Sequence, residues 1–201
     1  MIRGLLFLED RAQEQFVVSL IQKLLSNYRL LFRPDIRSST GGASVWGHLR
    51  QFAQDLRAED HAVEMIDMLV VAVDGNCKGF PAVANSIADI IQPTGLLDKS
   101  ILCVPEPHIE KWYLLDLRAL RKTIDTRVSV RVPAHKCERD YYKALLGRAV
   151  AKGGSLLGGP EYGSEIASRM DIARACRLDG SFAAFVEQVC RRAASFKKTG
   201  N

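Results

Sequence analysis

The chain reads as an α/β fold in three layers, a mainly parallel sheet between helices, with a helical C-terminal extension. Three observations predict this. The runs Gly4-Leu5-Leu6-Phe7-Leu8 and Met68-Leu69-Val70-Val71-Ala72-Val73 are apolar at every position, as strands covered on both faces are. Segments of helical period alternate with these runs, and parallel neighbours need such crossovers. From Glu138 onward the pattern is helical only.

Taken in order, a strand over residues 2–8 leads to a helix over 11–26. There Phe16, Val17, Leu20, Ile21, Leu24 and Leu25 form one stripe facing the sheet. Residues 28–36 read as a second strand, followed by the flexible-composition loop Ser38-Ser39-Thr40-Gly41-Gly42. Val45, Leu49, Phe52 and Leu56 keep helical spacing, and Trp46 in the same register reads as core more readily than as a base-stacking platform. The strand over 67–73 ends at Asp74-Gly75 and gives way to a helix over 81–91. A short strand at 100–104 stops at Pro105-Glu106-Pro107, and a helix starts near His108 with Ile109, Trp112, Tyr113, Leu115 and Leu120 on its apolar side. Residues 126–132 are a candidate edge strand. Helices are expected over 141–150, 161–176 and 181–194, with a glycine-rich loop over 152–160 between the first two.

The 201 residues suit a core over 1–135, a helical extension over 136–196 packed on it, and a basic tail over 197–201. Lys and Arg number 28 against 23 Asp and Glu, a net +5 that favours a polyanionic partner, although solvated faces often carry such an excess. Five scattered cysteines without a C-x-x-C pair read as reduced thiols, and His135-Lys136-Cys137 lacks the second pair that a zinc site needs. No apolar run approaches a membrane span and no secretory h-region is evident, so the expectation is a soluble, cytoplasmic protein. The glycine-rich loop lacks the Lys-Ser/Thr ending of a P-loop, and there is no G-x-S-x-G elbow, which argues against ATPase and serine-hydrolase chemistry.

The chemistry resides in two carboxylates. Glu9 and Asp74 each stand at the C-terminal end of a buried strand, where open α/β sheets gather their ligands, so both are expected to meet at one divalent cation. Cleavage of a phosphodiester develops charge on the attacking and leaving oxygens, which a carboxylate-held Mg²⁺ (or Mn²⁺) stabilises. Asp74 is the expected principal ligand; Glu9 is a second ligand or the general base, and the sequence leaves both roles open. Asn76 offers an amide oxygen without charge. Glu106 or Glu110 completes the set, Glu110 standing on the helix that Trp112 anchors and Glu106 nearer the strand end. His108, at a helix start, is a candidate to exchange a proton near a phosphate, with an ordinary surface histidine as the default reading. Arg33, Arg37, Arg50, Lys78 and Lys152 are the candidate phosphate contacts. Structural readings compete: Glu9 favouring a helix N-terminus, Asp10 capping it, Asp74-Gly75 forming only a turn, and Glu110-Lys111 lying on a solvated helix face.

Strand-Glu-helix followed by strand-Asp-x-Asp resembles the Toprim domain, and Val104-Pro105-Glu106-Pro107-His108-Ile109-Glu110-Lys111-Trp112-Tyr113-Leu114-Leu115-Asp116 resembles a stretch of Toprim-like families associated with bacterial phage defence. The match covers about residues 4–116. It departs from the family at Asp10, where glycine is usual, at Gln13-Glu14 in place of the second acid, and at Asn76 in place of the second Asp. The resemblance implies a Toprim/Rossmann-like core and a Mg²⁺-dependent nuclease acting on DNA or RNA. It also implies an effector role in a defence system, with a separate ATPase or sensor chain as partner and room for a homo-oligomer. The alternative is a non-catalytic Toprim-like scaffold that binds nucleic acid or a partner protein, its metal site weakened at Asn76 and Gln13; a third reading is a small phosphate-ester hydrolase.

Overall fold

Four strands, β1 (Ile2–Leu8), β2 (Phe32–Ser38), β3 (Met68–Ala72) and β4 (Ser100–Cys103), pair in parallel in the spatial order β2-β1-β3-β4. The computed structural model describes residues 1–39, 44–58, 63–125, 130–138, 140–153 and 158–199. Alternate residues of the central strands enter two separate cores. Leu6, Leu8, Val70, Ala72, Ile101 and Cys103 face one side, under α1 (Arg11–Ser26), while Leu5, Phe7, Leu69, Val71 and Val73 face the other, under α2 (Val45–Ala58) and α3 (Phe80–Ile91). The chain steps from β1 one way to β2, then back past β1 to β3; with right-handed crossovers this reversal sends α1 and α2 to opposite faces. An α/β sheet with helices on both sides is therefore what the apolar runs called for.

The first core is finished by the C-terminal helices. α4 (Ile109–Tyr113), α5 (Leu117–Thr123), α6 (Tyr141–Ala151), α7 (Gly163–Arg169), α8 (Ile172–Leu178) and α9 (Gly180–Thr199) contribute Trp112, Leu120, Leu146, Ile166, Ala175 and Phe182 to it. From α9, Gln188 accepts from the Leu102 amide (2.9 Å) and donates to the Leu102 carbonyl (3.3 Å), so the free edge of β4 is covered. The opposite edge, β2, carries Pro34, which has no N–H to offer a further strand.

Several boundaries differ from expectation, each for a local reason. β2 begins at Phe32 and not at Tyr28, because the Tyr28 and Leu30 amides bond back to the Leu25 carbonyl and Arg29 turns left-handed at φ 58°. The single helix expected from His108 is two, since the Asp116 carboxylate accepts from the Arg118 and Ala119 amides and starts a new one. Asp171 does the same to the helix expected over 161–176, accepting from the Arg174 amide. α9 runs on past residue 194 to Thr199, so Lys197 belongs to a helix and not to a frayed tail. Residues 130–132 are not in a strand, and residues 126–129 lie outside the described residues, as do 40–42 and 154–157 of the two glycine-bearing loops. Cys77 and Cys137, expected as thiols, form a disulfide between the turn after β3 and the segment before α6; Cys103, Cys176 and Cys190 are free. Positions 60 apart met only through tertiary structure.

Candidate active site

β1 and β3 are neighbours whose connections leave toward opposite faces, and the crevice beyond their C-terminal ends is where such a sheet exposes backbone and side chains to a ligand. Glu9 follows β1 and Asp74 lies two residues beyond β3. The Asp74 amide donates to Glu9 Oε2 at 2.8 Å across a separation of 65 residues. Gln13, buried in the first turn of α1, clips the two acids together: its Oε1 accepts from the Glu9 amide (2.9 Å) and its Nε2 donates to Asp74 Oδ1 (3.0 Å). Asp10 caps α1 by accepting from the Gln13 amide at 3.0 Å, which confirms the capping role and orients the Gln13 side chain. Glu9 is no cap.

The turn after β3 is zipped to the turn after β4. Gly75 donates to the Pro105 carbonyl (2.8 Å) and Asn76 to the Pro107 carbonyl (2.9 Å). A Cβ on Gly75 would lie 3.0 Å from the Pro105 oxygen and 3.1 Å from Glu106 Cγ, so only glycine allows this approach without displacement. The zipper delivers α4 to the site. There the Ile109 amide donates to Asp74 Oδ1 (3.1 Å) and His108 Nδ1 faces Asp74 Oδ2 (3.3 Å). α4 is buried along its whole length. Tyr113 stacks on Phe16 with centroids 4.5 Å apart, and the Trp112 indole donates to Ser181 Oγ (3.1 Å) while its ring meets Phe182 edge-on. Lys111, 5% exposed, pairs with Asp179 at 2.6 Å. These anchors hold Glu110, 8% exposed, beside Asp74; neither Glu110 nor Lys111 lies on a solvated face.

The result is a cavity of about 530 Å³ lined by acids from three parts of the chain, Glu9, Asp10, Asp74 and Glu110, and by Asp140, with Lys78 and Lys143 as its cations and the His108 imidazole beside Asp74. Burial raises the Glu9 carboxyl from 4.5 to about 7, and the Asp74 charge adds to the effect. Burial lifts Asp74 as well, against the hydrogen bond and charge of His108. Glu110 rises through burial and then the Asp74 charge. His108 is raised by its hydrogen bond to Asp74, against burial. The acids thus repel one another and share too few positive partners.

Carboxylate oxygens are the hard donors that a divalent cation such as Mg²⁺ takes, and Glu9, Asp74 and Glu110 would be the residues to hold one. Asp74 Oδ1 is engaged by Gln13 and Ile109, and among the described residues no three of His, Cys, Asp and Glu form a ready-made metal cage. Of the other expected site residues, Asn76 lines the cavity but turns its Nδ2 to the Asp74 carbonyl (3.3 Å). Glu106 is outside the lining, its chain packed on Gly75 and its amide donating to Ser181 Oγ. Lys78 lines the cavity, whereas Arg33 and Arg37 stand in a different one beside β2, and Arg50 and Lys152 are exposed and line neither. Trp46 walls the acidic cavity, half-buried. Lys143 and Asp140 escaped the sequence reading because only folding brings α6 here; Gln13 carried a signal, its i+4 spacing from Glu9 across a helix start.

The chain matches no protein-family model, no curated protein and no solved structure. No described helix is long and apolar enough to cross a membrane.

Proposed function

We propose that the chain is a Toprim-like phosphodiesterase that cleaves DNA or RNA with the help of Mg²⁺ (or Mn²⁺). The observation that carries this reading is the direct hydrogen bond by which Asp74 meets Glu9 at the sheet's switch point, with Glu110 buried beside them. A divalent cation there supplies electrostatic stabilisation of the charge that develops on phosphate oxygens. The chain's own groups do the rest. Glu9, with its carboxyl lifted to about 7, is matched to proton transfer near neutral pH. His108, whose imidazolium form is favoured by its hydrogen bond to Asp74 against the cost of burial, and Lys78 and Lys143 in the lining draw in and orient a phosphate. Activity on a labelled oligonucleotide should require Mg²⁺ or Mn²⁺ and disappear in Glu9→Gln and Asp74→Asn proteins whose circular dichroism is unchanged. Metal-dependent cleavage retained in both variants would sink the assignment.

A second reading has an observation of its own. Gln13, Ile109 and His108 already engage both Asp74 oxygens, which suits a non-catalytic scaffold whose acids are locked internally. That reading calls for nucleic-acid binding that survives EDTA, weakens with salt and leads to no cleavage.

A further inference from the structure

A second cavity, larger than the acidic one, lies elsewhere on the sheet. It is a groove of about 990 Å³ on the face of the sheet that α2 covers, running between β2 and α2. Its floor is apolar, built from Leu5, Phe7, Phe52, Leu56 and Ile66, with Met65, 57% exposed, at one end. Its rim is rich in arginine. Parallel register sets Arg3 beside Arg33 and Phe7 beside Arg37, so three guanidinium groups line the groove along the sheet's height.

These arginines are not used up by internal pairing. Arg3 meets Asp67 at 3.5 Å and Met65 Sδ at 3.2 Å. Arg37 reaches Asp35 at 3.6 Å, both largely exposed, a contact worth little in water. Arg33 has no ion-pair partner among the described residues. Two cations in register on adjacent strands disfavour each other unless an anion lies between them. Asp35 and Asp55 also line the groove, and Asp55 accepts from Gln51 (2.8 Å), so its three arginines exceed its two aspartates by one charge.

We infer that this groove is the binding track for a single strand of nucleic acid. The inference rests on the nucleic-acid reading of the acidic site for its choice of polymer. Arg33 and Arg37 are four residues apart on one strand, about 13 Å at 3.3 Å per residue, which outruns a single phosphate and suits phosphates two nucleotides apart on an extended backbone. An apolar floor between such cations receives base faces without reading their edges, the pattern of sequence-tolerant single-strand binding. Both cavities border the start of α2, whose Val45 and Trp46 wall the acidic site and whose His48 and Gln51 line the groove, so one strand can serve both.

The test is fluorescence anisotropy on the full chain in EDTA, where no cleavage occurs, with labelled oligothymidylate and oligouridylate of about twenty nucleotides and a matching duplex. The wild-type protein should prefer single strands. The doubly substituted Arg33→Ala/Arg37→Ala protein should bind roughly tenfold more weakly, with the slope of log affinity against log salt shallower by about 1.4 for two lost phosphate contacts. Lys122→Ala/Arg177→Ala, which removes the same charge from exposed positions outside both cavities, should change affinity less than about twofold. Failure of the wild type to bind single strands, equal losses in the two double variants, preference for duplex, or equal competition by a mononucleotide would each overturn the track. Cleavage assays with Mg²⁺ separate the two claims: loss of the catalytic reading leaves oligonucleotide binding in EDTA and its arginine dependence unaltered.

Discussion

Glu9 should make the metal-free protein less stable as pH rises, the reverse of what an ordinary ion-paired carboxylate does. Its carboxyl titrates at about 7 in the folded chain and near 4.5 when free of burial. Between those values the folded state holds a proton that the unfolded state has released, so stability is full below the unfolded value and falls until the folded value is passed. The lift corresponds to about 3 kcal/mol at 1.36 kcal/mol per pH unit. For a chain of this size that is a Tm lower by about 6–12 °C at pH 8 than at pH 5, as an upper figure. Asp74, Glu110 and His108 are all raised as well and push in the same direction. Asp116 acts oppositely: burial alone would raise it, but amide donors from Asp171 and Ala119 and the Arg174 charge hold it low, so its contribution is lost only on acidification below the usual carboxylate range. Glu9→Gln removes the charge and keeps an oxygen for the Asp74 amide, so it should raise Tm at pH 8, leave it little changed at pH 5, and blunt any stabilisation by Mg²⁺. Differential scanning fluorimetry across pH, with EDTA or Mg²⁺, reads all three. A wild-type Tm that holds or climbs from pH 5 to pH 8, or a Glu9→Gln protein less stable than wild type at pH 8, would refute the reasoning.

Two further outcomes follow from the supports of the site. Asp179→Ala strands the buried Lys111 ammonium and removes the acceptor of the Phe182 amide and the Ser181 hydroxyl, so urea unfolding should show a loss of about 3–5 kcal/mol, much of it recovered when Lys111→Met is added. Gly75→Ala presses a methyl against the Pro105 carbonyl and Glu106, which should cost about 1–3 kcal/mol and weaken Mg²⁺-dependent activity more than Tm, because the displaced turn carries Asp74.

β1 and β3, and the positions of Glu9 and Asp74 just beyond their ends, were legible in advance because a strand buried on both faces leaves a continuous apolar run that stops at a charged residue. Helix ends were less legible. Asp116 and Asp171 each start a helix inside what reads as an uninterrupted apolar stripe, since periodicity does not register which carboxylate turns back to its own amides. Arg33 and Arg37 read as candidate phosphate contacts with no cavity assigned to them, and the sheet register places them in one apart from the acidic site.

Local chemistry therefore settled the strand-helix alternation, the parallel sheet and the stations of Glu9 and Asp74 at strand ends, all consequences of period and of short-range sterics. Which acids share a cavity, that Gln13 bridges two of them, that Cys77 meets Cys137 and that the arginines of β2 line a groove of their own are outcomes of distance in three dimensions. Those contacts join residues dozens of positions apart, and only the packing of both sheet faces determines them.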